Sequence, residues 1–313
     1  MAVSSSTDFT LNRNQIITRA LNTIGAIGPA QIIPAEILAY SADMLNMMIK
    51  HWESQGIHIW RHEVGNVFMV PGQTQYNLGT GYDKAANSIF RTTISADEAA
   101  AQTVLSVTST SGISTSDQVG IELDDGTMQW TTVSSKSSTT ITVAAALTAS
   151  ATSGNQVYTY TTQLTRPLRI ESAHRRTKDI LDVPLSIFSR KDYLDMPNKT
   201  LQGTVNQIYY DPNRDTYGTL SVYPTSSNCT DVIRIDYLRT LSDLDLTTDN
   251  ADFPQEWLLA IVYNLAVLLC PTHGKDNKLN TLAPMADRYL QEVSSYDHEP
   301  TIVNITNDWN PNA

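Results

Sequence analysis

The sequence predicts an α+β protein: a discontinuous helical bundle formed by both chain ends, with a β-sandwich or barrel-like extension carrying an inserted small all-β module. Three observations predict it. Helix-period apolar patterns occupy both ends of the chain, and strand patterns fill the middle. Between residues 95 and 162 the composition shifts to Thr, Ser and Val, nearly without Lys, Arg or Pro. The expected parts are a ring-forming helical base (1–65 plus 245–298), a β domain (66–94 plus 163–244), the inserted module (95–162) and an extended C-terminal docking tail (299–313).

The elements follow in order. Asn12 with Gln15 three residues on has the capping-box pattern, and Gly25 offers a left-handed stop. Ile17, Leu21 and Ile24 share one face of the helix between them. Pro34 opens a second helix, in which Leu38, Leu45, Ile49 and Trp52 recur at helical spacing up to Gly56. Met44, Met47 and Met48 widen that face and read as core filler in preference to an adaptable docking surface. Val67–Val70, Pro71-Gly72 and Tyr76–Leu78 then read as strand, turn and strand. Five short strands fill the module, and Asp125-Gly126 is its strongest hairpin signal. Strands resume at Leu168–Ala173, Ile208–Tyr210, Leu220–Pro224 and Val232–Leu238. Helices return at Pro254, a residue suited to a first helical turn because its missing N–H has no partner to lose there. A last helix spans about 276–296, started or kinked by Pro284.

From Trp257 to Cys270 the helix is apolar on almost every side, broken only by Asn264. Such a helix must be covered all round, and it is too short for a membrane span, which needs ~20 apolar residues. The Trp52-bearing helix covers part of it. The rest predicts a second copy, with Trp52, Trp257, Ile261, Leu265 and Leu268 at the subunit interface.

The chain has 313 residues, net charge −11, 41% hydrophobic and 17% charged residues. The charged share lies below the ~25% of typical soluble domains. An acidic chain repels phosphate, so sequence-specific nucleic-acid binding is not expected, although DNA could pass without sticking. The N-terminus has neither a basic start nor an apolar run, so a signal peptide is not expected, and folding in a cytosol is. Cys229 and Cys270 are far apart and read as unpaired.

No phosphate loop, nucleophile elbow or zinc pattern appears, and no catalytic residue, cofactor or metal is expected. His58 and His62 lack an evident third ligand. Asp124 and Asp125 sit beside Gly126, where Asp serves a turn. Asp243, Asp245, Asp249, Asp252 and Glu256 precede a helix start, whose dipole favours acids. Arg169, Arg175, Arg176 and Lys178 belong to the one basic cluster, read either as a solvated strand edge or as a contact patch. Ile302, Val303, Ile305 and Trp309 give the polar tail a docking character.

Two segments carry a resemblance. Ile16–Gly25, Ala42–Met48 and Trp52–Gly56 resemble the N-terminal helical pair of the head-to-tail adaptor proteins of short-tailed bacteriophages, of the P22 tail accessory and T7 tail tubular type. Asp252–Ala266, followed by Pro271 and Gly274, is similar to that family's long interface helix. Asp195–Lys199 and Leu220–Pro224 resemble tail proteins of the same group. The resemblance implies a non-enzymatic virion protein at the head–tail junction, made in the host cytoplasm. It implies a dodecameric homo-oligomer ring beneath the portal protein, extending the DNA channel, with no membrane contact. The tail residues would dock on the portal or a neighbour, and the β part would hold a downstream tail or fibre protein. Two rival readings are a carbohydrate- or receptor-binding module built on 95–162, using Trp130, Tyr158 and Tyr160, and a cell-envelope hydrolase.

Overall fold

A computed structural model of the chain describes residues 8–28, 30–55 and 59–296. The architecture is mixed α+β, with a curled β half-barrel and C-terminal helices. The chain divides into two compact units, Met1–Trp60 with Leu241–Ala313, and Arg61–Thr240.

Among the described residues the first unit holds four α-helices: α1 (Arg13–Ile24), α2 (Ala35–Ser54), α3 (Leu258–Leu269) and α4 (Leu279–Tyr296). The capping box at α1 is complete: the Asn12 side chain accepts from the Gln15 amide at 2.9 Å, and the Gln15 side chain accepts from the Asn12 amide at 3.1 Å. Gly25 ends the helix with φ 67°, a conformation costly for residues with a Cβ. Asn12→Ala should therefore lower the stability of this unit by about 1 kcal/mol, read as a lower denaturation midpoint; an unchanged midpoint would show that the cap is dispensable.

The returning chain is held by hydrogen bonds. The Arg13 amide donates to the Asp249 carbonyl at 2.8 Å. On α2, Lys50 donates to the Leu241 carbonyl at 2.8 Å, Glu53 accepts from the Leu241 amide at 3.0 Å, and Asn46 accepts from the Leu244 amide at 3.1 Å. Pro254 precedes a 3₁₀ turn, Gln255–Trp257, that runs into α3. The short link after α3 makes α3 and α4 antiparallel: Tyr263 meets Tyr289 edge-on at 5.0 Å, and Asn264 donates to the Ala286 carbonyl at 3.2 Å. Pro284 lies inside α4, so the helix starts upstream of it.

The second unit combines three sheets and the module, the smallest sheet pairing 202–203 with 225–226. A five-stranded sheet runs in the order 182–184, 167–176, 232–239, 62–68, 85–86. A four-stranded sheet runs 186–187, 207–211, 218–223, 75–78. Their facing residues, among them Val67, Tyr76, Leu78, Leu220, Ile233 and Ile235, share one core. Gly65 is required here: a Cβ would lie 2.2 Å from Leu164 Cδ1 and 3.3 Å from the Tyr237 ring.

The five strands of the module are joined by 90–93, from just outside residues 95–162, into a six-stranded sheet in the order 90–93, 156–160, 118–122, 128–136, 140–143, 104–106. It has its own core, including Leu105, Val119, Ile121, Val133, Ile141 and Val157. The Asp125-Gly126 hairpin closes it, with Gly126 at φ 83° and the Leu123 amide donating to the Thr127 carbonyl at 2.9 Å. An aromatic cluster joins the module to the five-stranded sheet: Phe68 lies 4.7 Å from Trp130 and 5.3 Å from Tyr158.

Candidate functional site

The apolar helix α3 is covered mainly by its own chain. Each of α1, α2 and α4 packs against it. Trp257 is gripped by Trp52 at 5.9 Å and Trp60 at 5.0 Å, in a T-shaped arrangement favoured by ring quadrupoles. Of the five residues expected at a subunit interface, Trp52, Trp257, Ile261 and Leu265 are buried within the subunit, Ile261 and Leu265 at 0% exposure. Leu268 differs, with 39% of its surface open. Asn264 does not break the helix, because its amide donates to Ala260 one turn back and to α4.

Open apolar surface of the helical unit also lies on α2. Tyr40 and Met47 on α2 are 44% and 58% exposed, seven residues apart and so on one helical face, with half-buried Met44 between them. This corrects the expectation that the methionines are all core filler: Met48 is buried at 5%, while Met47 points outward. Wheel geometry separates Met47 from Leu45 and Trp52, but a broad apolar stripe does not say which edge the fold will cover.

The basic cluster is committed to acids of the same chain. Arg175 meets Asp231 at 2.8 Å in a nearly buried pair. Arg176 forks onto both oxygens of Asp182 at 2.7 Å each. Lys178 reaches Glu122 at 3.2 Å, and Arg169 contacts Glu171. The Arg175 pair is the one largely shielded from water, whereas the exposed Arg169 and Lys178 pairs contribute little. Sequence revealed the cations but not Asp231 or Glu122, each 56 positions from its partner.

Beyond this cluster, the hairpin tip after residue 176 carries an unexpected pair. Ile180 and Leu181 are 63% and 62% exposed. Ile180 also holds φ 63°, an unfavourable conformation for a β-branched residue.

The remaining candidates have structural roles. Asp124 accepts from the Thr152 hydroxyl at 2.6 Å, the Ser150 hydroxyl at 2.7 Å, the Thr152 amide at 3.0 Å and Asn155 at 2.9 Å. These bonds, the Thr152 hydroxyl foremost, hold its carboxyl well below the usual carboxylate range. Thr127 lowers Asp125 in the same way, and the Arg176 fork lowers Asp182. Groups whose folded pKa is depressed take up their proton later than the unfolded chain does. Their stabilisation is complete above the usual carboxylate range, near 4, and drains away as pH falls toward their folded values. Acid titration of the Arg61–Thr240 unit should show stability flat from neutrality to about pH 5 and falling below it, with Asp124→Asn flattening the fall; an identical profile in the variant would remove Asp124 from this role.

Asp243 pairs with Lys50 at 2.9 Å, and Asp249 accepts from the Leu246 amide at 2.6 Å, so the acidic run organises its own loop. His62 lies 3.5 Å from Asp236, while His58 falls outside the described residues. Among the described residues no group of His, Cys, Asp or Glu could hold a metal ion. Both cysteines are free and buried. Of the aromatics available to a carbohydrate platform, Tyr158 and Tyr160 are each only 3% exposed and Trp130 is half-buried. Ile302, Val303, Ile305 and Trp309 lie outside the described residues. No helix among the described residues is long and apolar enough to cross a membrane.

Comparison with known proteins adds one match. A family model described as SU10 adaptor protein matches residues 123–305, more than half of the chain, from within the inserted module through the helical C-terminal part. No curated protein matches the chain.

Proposed function

The chain belongs to the SU10 adaptor protein family, a family of structural phage proteins, and from this premise we propose that it works at the head–tail junction of the virion. In this reading it forms a dodecameric ring beneath the portal, extends the DNA channel and presents a platform for the tail, without a catalytic step. The short-tailed type indicated by the N-terminal helical pair belongs to the same proposal.

The family match is the observation that carries this reading. The surface chemistry supports it. Tyr40, Met47 and Leu268 leave the helical unit with apolar side chains in the open, as a ring contact requires. Ile180 and Leu181 offer the β unit a protruding apolar contact for a downstream tail component or fibre. The net charge of −11 suits a channel wall along which DNA slides without sticking. Residues 302–309 would then engage the portal or a neighbouring copy.

Mass measurement of the purified chain, alone and mixed with a portal protein, tests the reading. A ring of twelve 34.6 kDa subunits is expected, alone or, upon portal addition, together with the portal's own mass. A persistent monomer that ignores the portal would sink it. Leu268→Asp combined with Met47→Asp should change stability by no more than about 0.5 kcal/mol per exposed site while abolishing the ring; rings that form undiminished would place the interface elsewhere.

A further inference from the structure

We propose that the groove between α1 and α3 is a docking site for the chain's own residues 301–309. The groove has a volume of about 450 Å³ and is lined by Phe9, Arg19, Leu258, Leu259 and Val262, among others. Phe9 and Leu259 are 57% and 50% exposed. Arg19 is the one charged side chain among its described lining residues, with its guanidinium 5.9 Å from the centre of the Phe9 ring.

The end of α4 selects the occupant. Because α4 runs antiparallel to α3, its C-terminal end returns toward the N-terminal end of α3, and α4 also packs on the Gln255–Trp257 turn. The chain therefore leaves α4 at Tyr296 beside the end of α3 that carries Leu258, Leu259 and Val262. Helical spacing puts Leu259 between the α1-facing side of α3 and the side, marked by Tyr263 and Asn264, that meets α4.

Chemistry and reach agree. Residues 297–313 contain Ile302, Val303, Ile305 and Trp309, together with Asp297, Glu299 and Asp308, and no Lys or Arg. Within 301–309 the one charge is Asp308, opposite in sign to Arg19, and the apolar residues of the segment would meet a groove whose open apolar side chains, Phe9 and Leu259, sit among Asn22, Thr23 and Gln255. The stretch from Tyr296 to Trp309 extends up to about 45 Å, whereas α3 is about 18 Å long. A tethered segment meets its site at a millimolar effective concentration, so a weak contact suffices to occupy it. Docked there, the segment would cover Leu259 and keep its own apolar residues from partners until a portal competes for them.

Hydrogen–deuterium exchange by mass spectrometry on the full chain tests this. Amides of 301–309 should exchange about tenfold or more slowly than an unstructured chain, equally at every dilution. Leu259→Asp and Arg19→Glu should each erase most of that protection, and Trp309→Ala should expose 19–23 and 258–262 while shifting the folding equilibrium by no more than the roughly tenfold that docking itself contributes. Tail amides exchanging at the unstructured rate, or protection that survives Arg19→Glu, overturns the proposal. Protection that appears only as copies associate also overturns it, because the occupant is then a second copy. The measurement concerns the isolated chain, so its failure leaves the ring reading standing.

Discussion

Leu265→Asp is expected to unfold the helical unit of the single subunit rather than to release folded subunits from a ring. Leu265 has 0% exposure and sits in a core shared with Ile17, Leu21, Leu45, Trp52, Trp257 and Ile261. Truncating a buried leucine costs about 2–5 kcal/mol, and an unpaired carboxylate in that site adds its own desolvation. The sum exceeds the 4–5 kcal/mol that marks an exceptional substitution and approaches the whole stability of an ordinary domain, about 5–15 kcal/mol. Circular dichroism during urea unfolding should show helical signal lost at or near zero denaturant. A variant with a wild-type midpoint that merely fails to assemble would mean the subunit does not use this residue as core. The Leu268 and Met47 variants provide the contrast, because their side chains stand open.

Phe68→Ala should have the largest effect in the β unit. Phe68 is 2% exposed, with its ring 4.7 Å from Trp130, 5.3 Å from Tyr158 and stacked on Tyr160 at 6.1 Å. Removing a buried phenylalanine costs about 3–5 kcal/mol. The loss falls where the module meets the five-stranded sheet, and the ties left there include Tyr158 to the Thr230 carbonyl at 3.2 Å and Lys84 to Gln118 at 3.0 Å. The module keeps its own core. Unfolding, followed by tryptophan fluorescence and peptide-resolved exchange, should therefore split into two transitions, with residues 95–162 outlasting the sheet. One transition within about 1 kcal/mol of wild type would show that the cluster does not couple the two.

Much of the local structure was legible because its causes are local. Asn12 and Gln15 lie within one helical turn, so their mutual capping can be read from spacing. Gly25 and Gly126 adopt the left-handed backbone that their positions suggest. Asp124 and Asp125 serve hydrogen-bonded turns, as their neighbour Gly126 indicates. Illegible from sequence were pairings across long separations. Arg175 finds Asp231, and Lys178 finds Glu122, which turns an apparent basic patch into internal ion pairs. The Ile180-Leu181 tip gave no signal either, since a hairpin tip and a buried turn can carry the same residues.

By itself the sequence determined element types, the return of helices at the chain's far end and the demand that the Trp257–Cys270 helix be covered. Periodicity, capping residues and turn chemistry act over a few positions, so they survive in the one-dimensional record. Only the tertiary structure decided what does the covering. α1, α2 and α4 enclose Ile261 and Leu265 within one subunit, while Leu268, Met47 and Tyr40 remain outside. Burial is a sum over neighbours brought together from distant parts of the chain. An apolar helix therefore announces that it needs cover, and the fold alone chooses which face is left for another surface.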